Sequence, residues 1–400
     1  MSPRHKKILI TVSGEDRPGI TANLMKVISD NGVSVTDIGQ SVTYDLLSLS
    51  ILLDGESMDN QSPILKDLLF AAKNMGLALD FKAIDQKNES NLNKKTDRFI
   101  LSCISSDKIP PVFLHDMANV LAKSKINITR IDSTTPQVLK SLDITTSVPQ
   151  NTNWQQIKER LLKISDQYRI DMAFLKDSVF RRNKRLIVFD MDSTLIQNEV
   201  IDELAEVCGQ REHVEKITRQ AMEGKIDFDE SLKKRVAKLK GLEVDRMQEV
   251  LGKLIFTPGT EEFIDTVKSL GYKLALISGG FGFFANHLKE KLQLDYAFAN
   301  ELEIKDQKLT GNVSGEIINP GRKATILNLI AQQEGISLEQ VVAIGDGAND
   351  LPMLAKAGLG IAFHAKDVVK KEAPLQMGHG PMTSILYFLG IHGPLSKSKN

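Results

Sequence analysis

The chain has 400 residues, 42% hydrophobic and 26% charged, which is enough for two or three ordinary domains with a core each. Lys plus Arg equals Asp plus Glu at 51 each, so no global field marks it for nucleic acid or an anionic membrane, and a polyanion-binding function would need a local patch. The basic start, Met1 to Lys7, leads into an apolar run soon broken by Gly14, Glu15 and Asp16, too short for a signal-peptide core, and no later stretch is apolar for long enough to span a bilayer.

Lys7 to Phe81 predicts a β-α-β-β-α-β unit. Ile8 to Val12 reads as a strand, and the next helix carries Leu24, Val27 and Ile28 on one face and stops at Asn31-Gly32. Strands follow at Val33 to Val42 and Leu46 to Leu53, then a helix with Ser62 as N-cap and Pro63 in its first turn, then a strand at Leu77 to Phe81. This order is the ferredoxin-like split βαβ arrangement. Residues 1–84 form this domain, and the polar stretch Asp85 to Asp97 reads as a linker.

The order recurs over residues 98–178, a duplication with a spacing of roughly ninety residues, too long for a solenoid. Phe99 to Ile104, Ile126 to Ile131, Leu139 to Val148 and Arg169 to Phe174 read as strands. One helix spans Val112 to Lys123 with Leu114, Met117, Val120 and Leu121 inward, and a second carries Trp154, Ile157, Leu161 and Leu162. Cys103 and Cys208 are the only cysteines; they lie far apart, argue against a disulfide framework, fit a reducing cytoplasm, and read as small buried hydrophobes.

From Lys184 the pattern becomes apolar strands running into polar, Gly-rich turns and helices: Leu186 to Phe189, Lys273 to Ile277, Val341 to Ile344 and Leu359 to Phe363. Alternating strands and helices predict an α/β doubly wound parallel sheet over residues 179–392, followed by a polar tail at 393–400. Ligands of such sheets bind at the carboxyl ends of the strands, which is where the unusual residues stand. Asp190 and Asp192 leave the first of these strands two residues apart; a helix cap or Asx turn would explain either carboxylate but not both after four apolar residues. Two close carboxylates suit phosphoryl transfer, one attacking phosphorus and the other handling protons. Asp346, in Gly345-Asp346-Gly347-Ala348-Asn349-Asp350, adds hard oxygen of the sort magnesium prefers. Ser278-Gly279-Gly280 and Lys323 are each unremarkable alone, but together they offer a hydroxyl, backbone N–H groups and a cation for phosphate.

These four segments, in this order, resemble the motifs of the haloacid dehalogenase superfamily over about residues 184 to 390, with a helical cap inserted at about Leu195 to Phe256. The resemblance implies a Rossmann-like core, Mg2+ as cofactor, Asp190 as nucleophile, Asp192 as acid and base, and Asp190, Asp346 and the backbone carbonyl of Asp192 around the metal. It also implies phosphate held by Ser278, Gly279, Lys323 and Asn349, and Asp350 supporting metal and lysine. Within the cap, Asn198 to Glu203, Ala221 to Phe228 and Ser231 to Val236 are similar to the phosphoserine phosphatase subfamily. By that resemblance Glu199 meets the substrate ammonium, Arg235 its carboxylate, Met222 and Phe228 form an apolar lid, Gly280 lines the substrate, and the substrate is O-phospho-L-serine. One acid and one base suit a zwitterion, and arginine can grip a carboxylate with two parallel hydrogen bonds. Phosphothreonine or phosphohomoserine would suit the same pair, so a related phosphatase or phosphotransferase stays open; a regulatory binding protein whose catalytic domain no longer works is the other alternative, and the sequence speaks against it, since every acidic, serine and lysine position the chemistry requires is present.

Gly14-Glu15-Asp16-Arg17-Pro18-Gly19-Ile20, between strand and helix, resembles the ACT domain. Such domains often bind amino acids between paired copies, which implies an effector such as serine at the loop Asp16, Arg17, Pro18, Gly19 and Ile20, and a homodimer. The second repeat, Ser106-Asp107-Lys108-Ile109-Pro110-Pro111, has no glycine in the matching turn, which points it toward packing or dimerisation.

Overall fold

The computed structural model describes residues 6–55, 63–85, 96–135, 139–222, 225–365, 369, 372–373 and 375–391. Ser62, most of the expected linker and the tail from Leu395 to Asn400 lie outside the described residues. The chain divides into two compact units, Met1–Thr96 and Asp97–Asn400.

The first unit holds strands β1 (Lys6–Glu15), β2 (Val35–Thr43), β3 (Leu46–Asp54) and β4 (Ala78–Asp85) in the order β2-β3-β1-β4, with β3 and β4 antiparallel to β1 and β2 antiparallel to β3. Alternate residues of β3, Leu47, Leu49, Ile51 and Leu53, are buried against Leu24, Ile28 and Leu68 of the helices Ile20–Asp30 and Ile64–Asn74. Tyr44 and Asp45 both take positive φ, 47° and 63°, which closes the two-residue β2–β3 hairpin with the twist its strands need. Pro63 occupies the cap position of the second helix, one residue before the expected first turn, because its fixed φ of −74° needs no N–H there.

The second unit opens with the repeat: β5 (Thr96–Ile104), β6 (Asn127–Ser133), β7 (Ser141–Pro149) and β8 (Asp171–Lys176) in the order β6-β7-β5-β8, under helices Pro111–Lys123 and Trp154–Tyr168. Phe113, Met117 and Leu121, four apart, form the buried stripe of the former helix; Leu114 and Val120, expected inward, stand beside that stripe and are only partly buried. Asn153 caps the latter helix by accepting from Gln156 N.

A seven-stranded sheet follows: β9 (Leu186–Phe189), β10 (Lys273–Phe281), β11 (Tyr296–Lys305), β12 (Lys308–Ser314), β13 (Val341–Gly345), β14 (Leu359–Phe363) and β15 (Leu375–Met377), ordered β12-β11-β10-β9-β13-β14-β15. All neighbours are parallel except the β11–β12 pair. Both faces are covered, which is why these strands read as unbroken apolar runs. Ile187, Phe189, Leu274 and Ile344 enter one core, while Leu186, Val188, Ile277 and Ala343 enter the other. With β9 central between β10 and β13, the turns after these three strands meet at one edge.

Between β9 and β10 the chain leaves through a narrow neck. Ile196 bridges Phe256, Gln197 N donates to Ile255 O and Thr257 N donates to Leu195 O, closing off helices Val200–Val207, Arg211–Met222, Phe228–Ala237 and Val244–Leu251 as the cap. The small sheet of this unit packs on the large one through Asp171. Its carboxylate is 2% exposed and accepts from the backbone N–H groups of Gly378, His379 and Gly380 at 2.7, 3.2 and 3.1 Å.

Candidate active site

Asp190 leaves β9 with its N–H still bonded to Ile344 O of β13, so the ladder fixes its backbone (2.9 Å). The following turn is tight, with Ser193 at φ 55°. Asp190 is 4% exposed, and its Oδ1 accepts from Lys323 Nζ at 2.6 Å. Asp192 Oδ1 accepts from Val200 N at the start of the first cap helix (2.8 Å).

Lys323 is fully buried, on helix Pro320–Gln333, which Asn319 caps by accepting from Arg322 N. Its ammonium also donates to Asp350 Oδ1 at 2.7 Å, and the other oxygen of Asp350 accepts from Gly347 N at 3.0 Å. Burial works against the ammonium charge, but Asp190 and Asp350 outweigh it and push the Lys323 pKa up. Burial and the neighbouring Asp350 push Asp190 up to about 7, and burial with Asp190 and Asp350 pushes Asp346 up to about 8. Burial, then Glu199 and Asp190, hold Asp192 well above the usual carboxylate range, which favours a protonated carboxyl.

Asp190, Asp346 and Asp350 bring carboxylate oxygens within 4.8 Å of one another, facing a single lysine cation. An all-oxygen donor set with excess negative charge fits a hard divalent cation. Asp350, whose two oxygens are already engaged, is part of this group, while the Asp192 carboxylate turns toward the cap.

Ser278 is fully buried at the end of the regular part of β10, and its Oγ accepts from Gly280 N at 2.8 Å. Glycine keeps this floor close to its neighbours: a β-carbon on Gly279 would stand 2.9 Å from the Phe228 ring, and one on Gly280 would stand 2.7 Å from Asp192 Oδ2, so either would displace a side chain of the cavity. Floor and cap enclose a cavity of about 520 Å³ lined by Asp190, Asp192, Glu199, Phe228, Arg235 and Asn349 among others. Glu199 accepts from Ser193 Oγ at 2.9 Å. Arg235 Nε donates to Ser231 O in a long bond (3.4 Å); burial pulls its guanidinium pKa down, opposed by Glu199 and Asp202. Ser278 and Lys323 are fully buried and are not among the residues that line the cavity. The Met222 side chain lies outside the described residues. Ile226 and Ser231, from the cap segments that carry the resemblance, also line the cavity, as do Thr218 and Val369, which carry no signal in the sequence.

In the first unit the loop Asp16 to Gly19 is exposed and ends at Gly19 (φ 97°), the cap of the helix that begins with buried Ile20. Asp16 N donates to Asp45 O, and Arg17 donates to Met75 O. In the second unit the corresponding turn is filled by Ile109, 1% exposed, and its N–H donates to Leu139 O.

A family model of haloacid dehalogenase-like hydrolases matches residues 184–358, and an ACT domain model matches residues 6–82. Phosphoserine phosphatase SerB2 of Mycobacterium tuberculosis is 36% identical over 389 residues, 97% of this chain and 94% of that protein. The phosphoserine phosphatase of Archaeoglobus fulgidus is 49% identical over 218 residues, 54% of this chain and 63% of that protein. A crystal structure of a HAD family hydrolase from Salmonella enterica aligns with a TM-score of 0.64 at 32% identity, covering 73% of this chain and 98% of that one. Similarity that runs through both small sheets, the cap and the carboxylate cluster places the chain by more than its motifs: it belongs to the phosphoserine phosphatase family of haloacid dehalogenase-like hydrolases, with an ACT domain at its N-terminus.

Proposed function

We propose that the chain hydrolyses O-phospho-L-serine to L-serine and phosphate through an aspartyl-phosphate on Asp190, as the last step of serine biosynthesis. The observation that carries this is a buried carboxylate, Asp190, held by Lys323 at 2.6 Å beneath a cavity whose cap wall bears one acid and one base, Glu199 and Arg235.

The Asp190 carboxylate attacks phosphorus in line. The bond from phosphorus to the seryl oxygen breaks, and that oxygen takes the proton held on Asp192. The Asp192 carboxylate then takes a proton from water. The water oxygen attacks phosphorus, the bond to Asp190 breaks, and phosphate leaves with Asp190 restored. Ser278, the Gly279 N–H, Lys323 and Asn349 hold the phosphoryl oxygens, with the Gly280 N–H orienting the Ser278 hydroxyl; Glu199 receives the ammonium and Arg235 the carboxylate of the serine moiety. Phe228 closes the apolar side of the lid and excludes water. Mg2+, held by Asp190, Asp346 and the Asp192 carbonyl, supplies charge neutralisation at the phosphoryl group when bound. Asp350 keeps Lys323 in place.

The same reading places the enzyme in the cytoplasm as a homodimer, with an amino-acid effector at Asp16 to Ile20. The test of the central claim is phosphate release from O-phospho-L-serine with magnesium and then with a chelator, beside phosphothreonine and an aryl phosphate. Metal-dependent release selective for phosphoserine is expected. Selectivity for a substrate without the ammonium or the carboxylate would overturn the roles of Glu199 and Arg235.

A further inference from the structure

Asn300 stands on β11, one strand removed from Asp190, in register with Phe281 of β10. It is 1% exposed, and both its polar atoms are engaged: Nδ2 donates to Gly279 O at 2.8 Å, and Oδ1 accepts from Ile318 N at 2.8 Å. Those partners fix the orientation of the amide, since Gly279 O needs a donor and Ile318 N an acceptor.

The consequence lies in the peptide plane. Gly279 C=O and Gly280 N–H belong to one rigid unit, so gripping the carbonyl aims the N–H on its far side, and that N–H meets Ser278 Oγ at 2.8 Å. The other half of the amide grips Ile318, just before Asn319 and Pro320 start the helix that carries Lys323. Asn319 in turn reaches Asp229 of the cap helix at 3.5 Å. Resting on the phosphatase reading above, we propose that Asn300 is a positioning residue for the phosphoryl group: it locks the Gly279–Gly280 peptide and ties it to the Lys323 helix, setting the spacing of the phosphate grip. A carboxamide offers its donor and its acceptor on two separate atoms, which a single hydroxyl or an ionised carboxylate does not. Aspartate would keep the acceptor and set a carboxylate against Gly279 O.

The test compares the full-length protein with Asn300→Ala and Asn300→Asp. Phosphate binding is read without turnover, as the concentration of inorganic phosphate giving half-maximal thermal stabilisation in the presence of magnesium. Turnover is read on O-phospho-L-serine and on an aryl phosphate. In both variants the half-maximal phosphate concentration should rise about tenfold or more and kcat should fall about tenfold to a hundredfold. The preference for phosphoserine over aryl phosphate should stay within about twofold of wild type, because Glu199 and Arg235 are untouched. Should Asn300→Ala fail to fold, the isosteric Asn300→Asp carries the same measurement. A purely structural residue would lower the active fraction, and therefore kcat, while leaving phosphate affinity unchanged, and that result would overturn the proposal. A wild type that binds phosphate but cleaves none of the substrates, with binding still weakened in the variants, would overturn the reaction and leave the positioning role standing.

Discussion

Lys323 divides one ammonium between Asp190 and Asp350, at 2.6 and 2.7 Å, in a place where burial alone already disfavours carboxylate charge. Asp190→Asn should therefore lower phosphoserine turnover at least about a thousandfold, while thermal unfolding of the metal-free protein stays equal or rises, because Lys323 keeps Asp350. The pH dependence has a definite sign. Asp190 is raised from 3.8 to about 7 and Asp346 from 3.8 to about 8, so between those limits the folded protein holds protons that the unfolded chain releases. Stability of the metal-free protein should then fall as pH rises through that window, and magnesium should raise Tm more at about pH 8 than at about pH 5. Calorimetry with a chelator and with magnesium checks both; a Tm that climbs with pH in chelator would contradict the raised carboxylates. Arg235 belongs to the other end of the substrate. Arg235→Lys exchanges a two-pronged grip for a point charge, so KM for phosphoserine should rise about tenfold to a hundredfold with little change for an aryl phosphate, in side-by-side kinetics.

Strands β9, β10, β13 and β14 were legible because each is buried on both faces and needs no partner to announce it; the run Leu186 to Phe189 is the whole of β9. The carboxylates and glycines at their ends were legible for the same reason, since a charge after an apolar run marks a strand's exit. Contacts between distant elements left no such trace. Phe113, rather than Leu114, faces the core because the helix phase is set by the sheet beneath it, and Asn300 gains meaning only when β11 lies beside β10. Asp171 is the extreme case: its partners lie 207 to 209 residues away, and nothing near it in sequence hints at them. Removing that carboxylate would orphan three N–H groups at a packed junction, so Asp171→Ala should cost about 2–4 kcal/mol and lower Tm by roughly 5–15 °C. Asp171→Asn, which still accepts, should lose less. Thermal unfolding of the two variants side by side checks the order.

The division of the molecule determines which fragment can report on regulation. Cutting near Arg182, a few residues past the second repeat, would strip Asp171 from the N–H groups of Gly378, His379 and Gly380. Such a fragment should be unstable whatever the first unit does, and its kinetics would say little about an effector. A cut at Asp97 follows the boundary between the compact units and keeps the second repeat against the large sheet. This fragment should retain phosphoserine turnover within about threefold of the full chain, since every residue of the cavity and its floor is present. If serine acts through the loop Asp16 to Ile20, titrating it should alter the rate of the full chain at concentrations where the fragment shows only weak competitive inhibition. Equal inhibition of both would put serine in the cavity as product, bound by Glu199 and Arg235, and would leave the first unit to association between chains, which sedimentation of the two proteins would then separate.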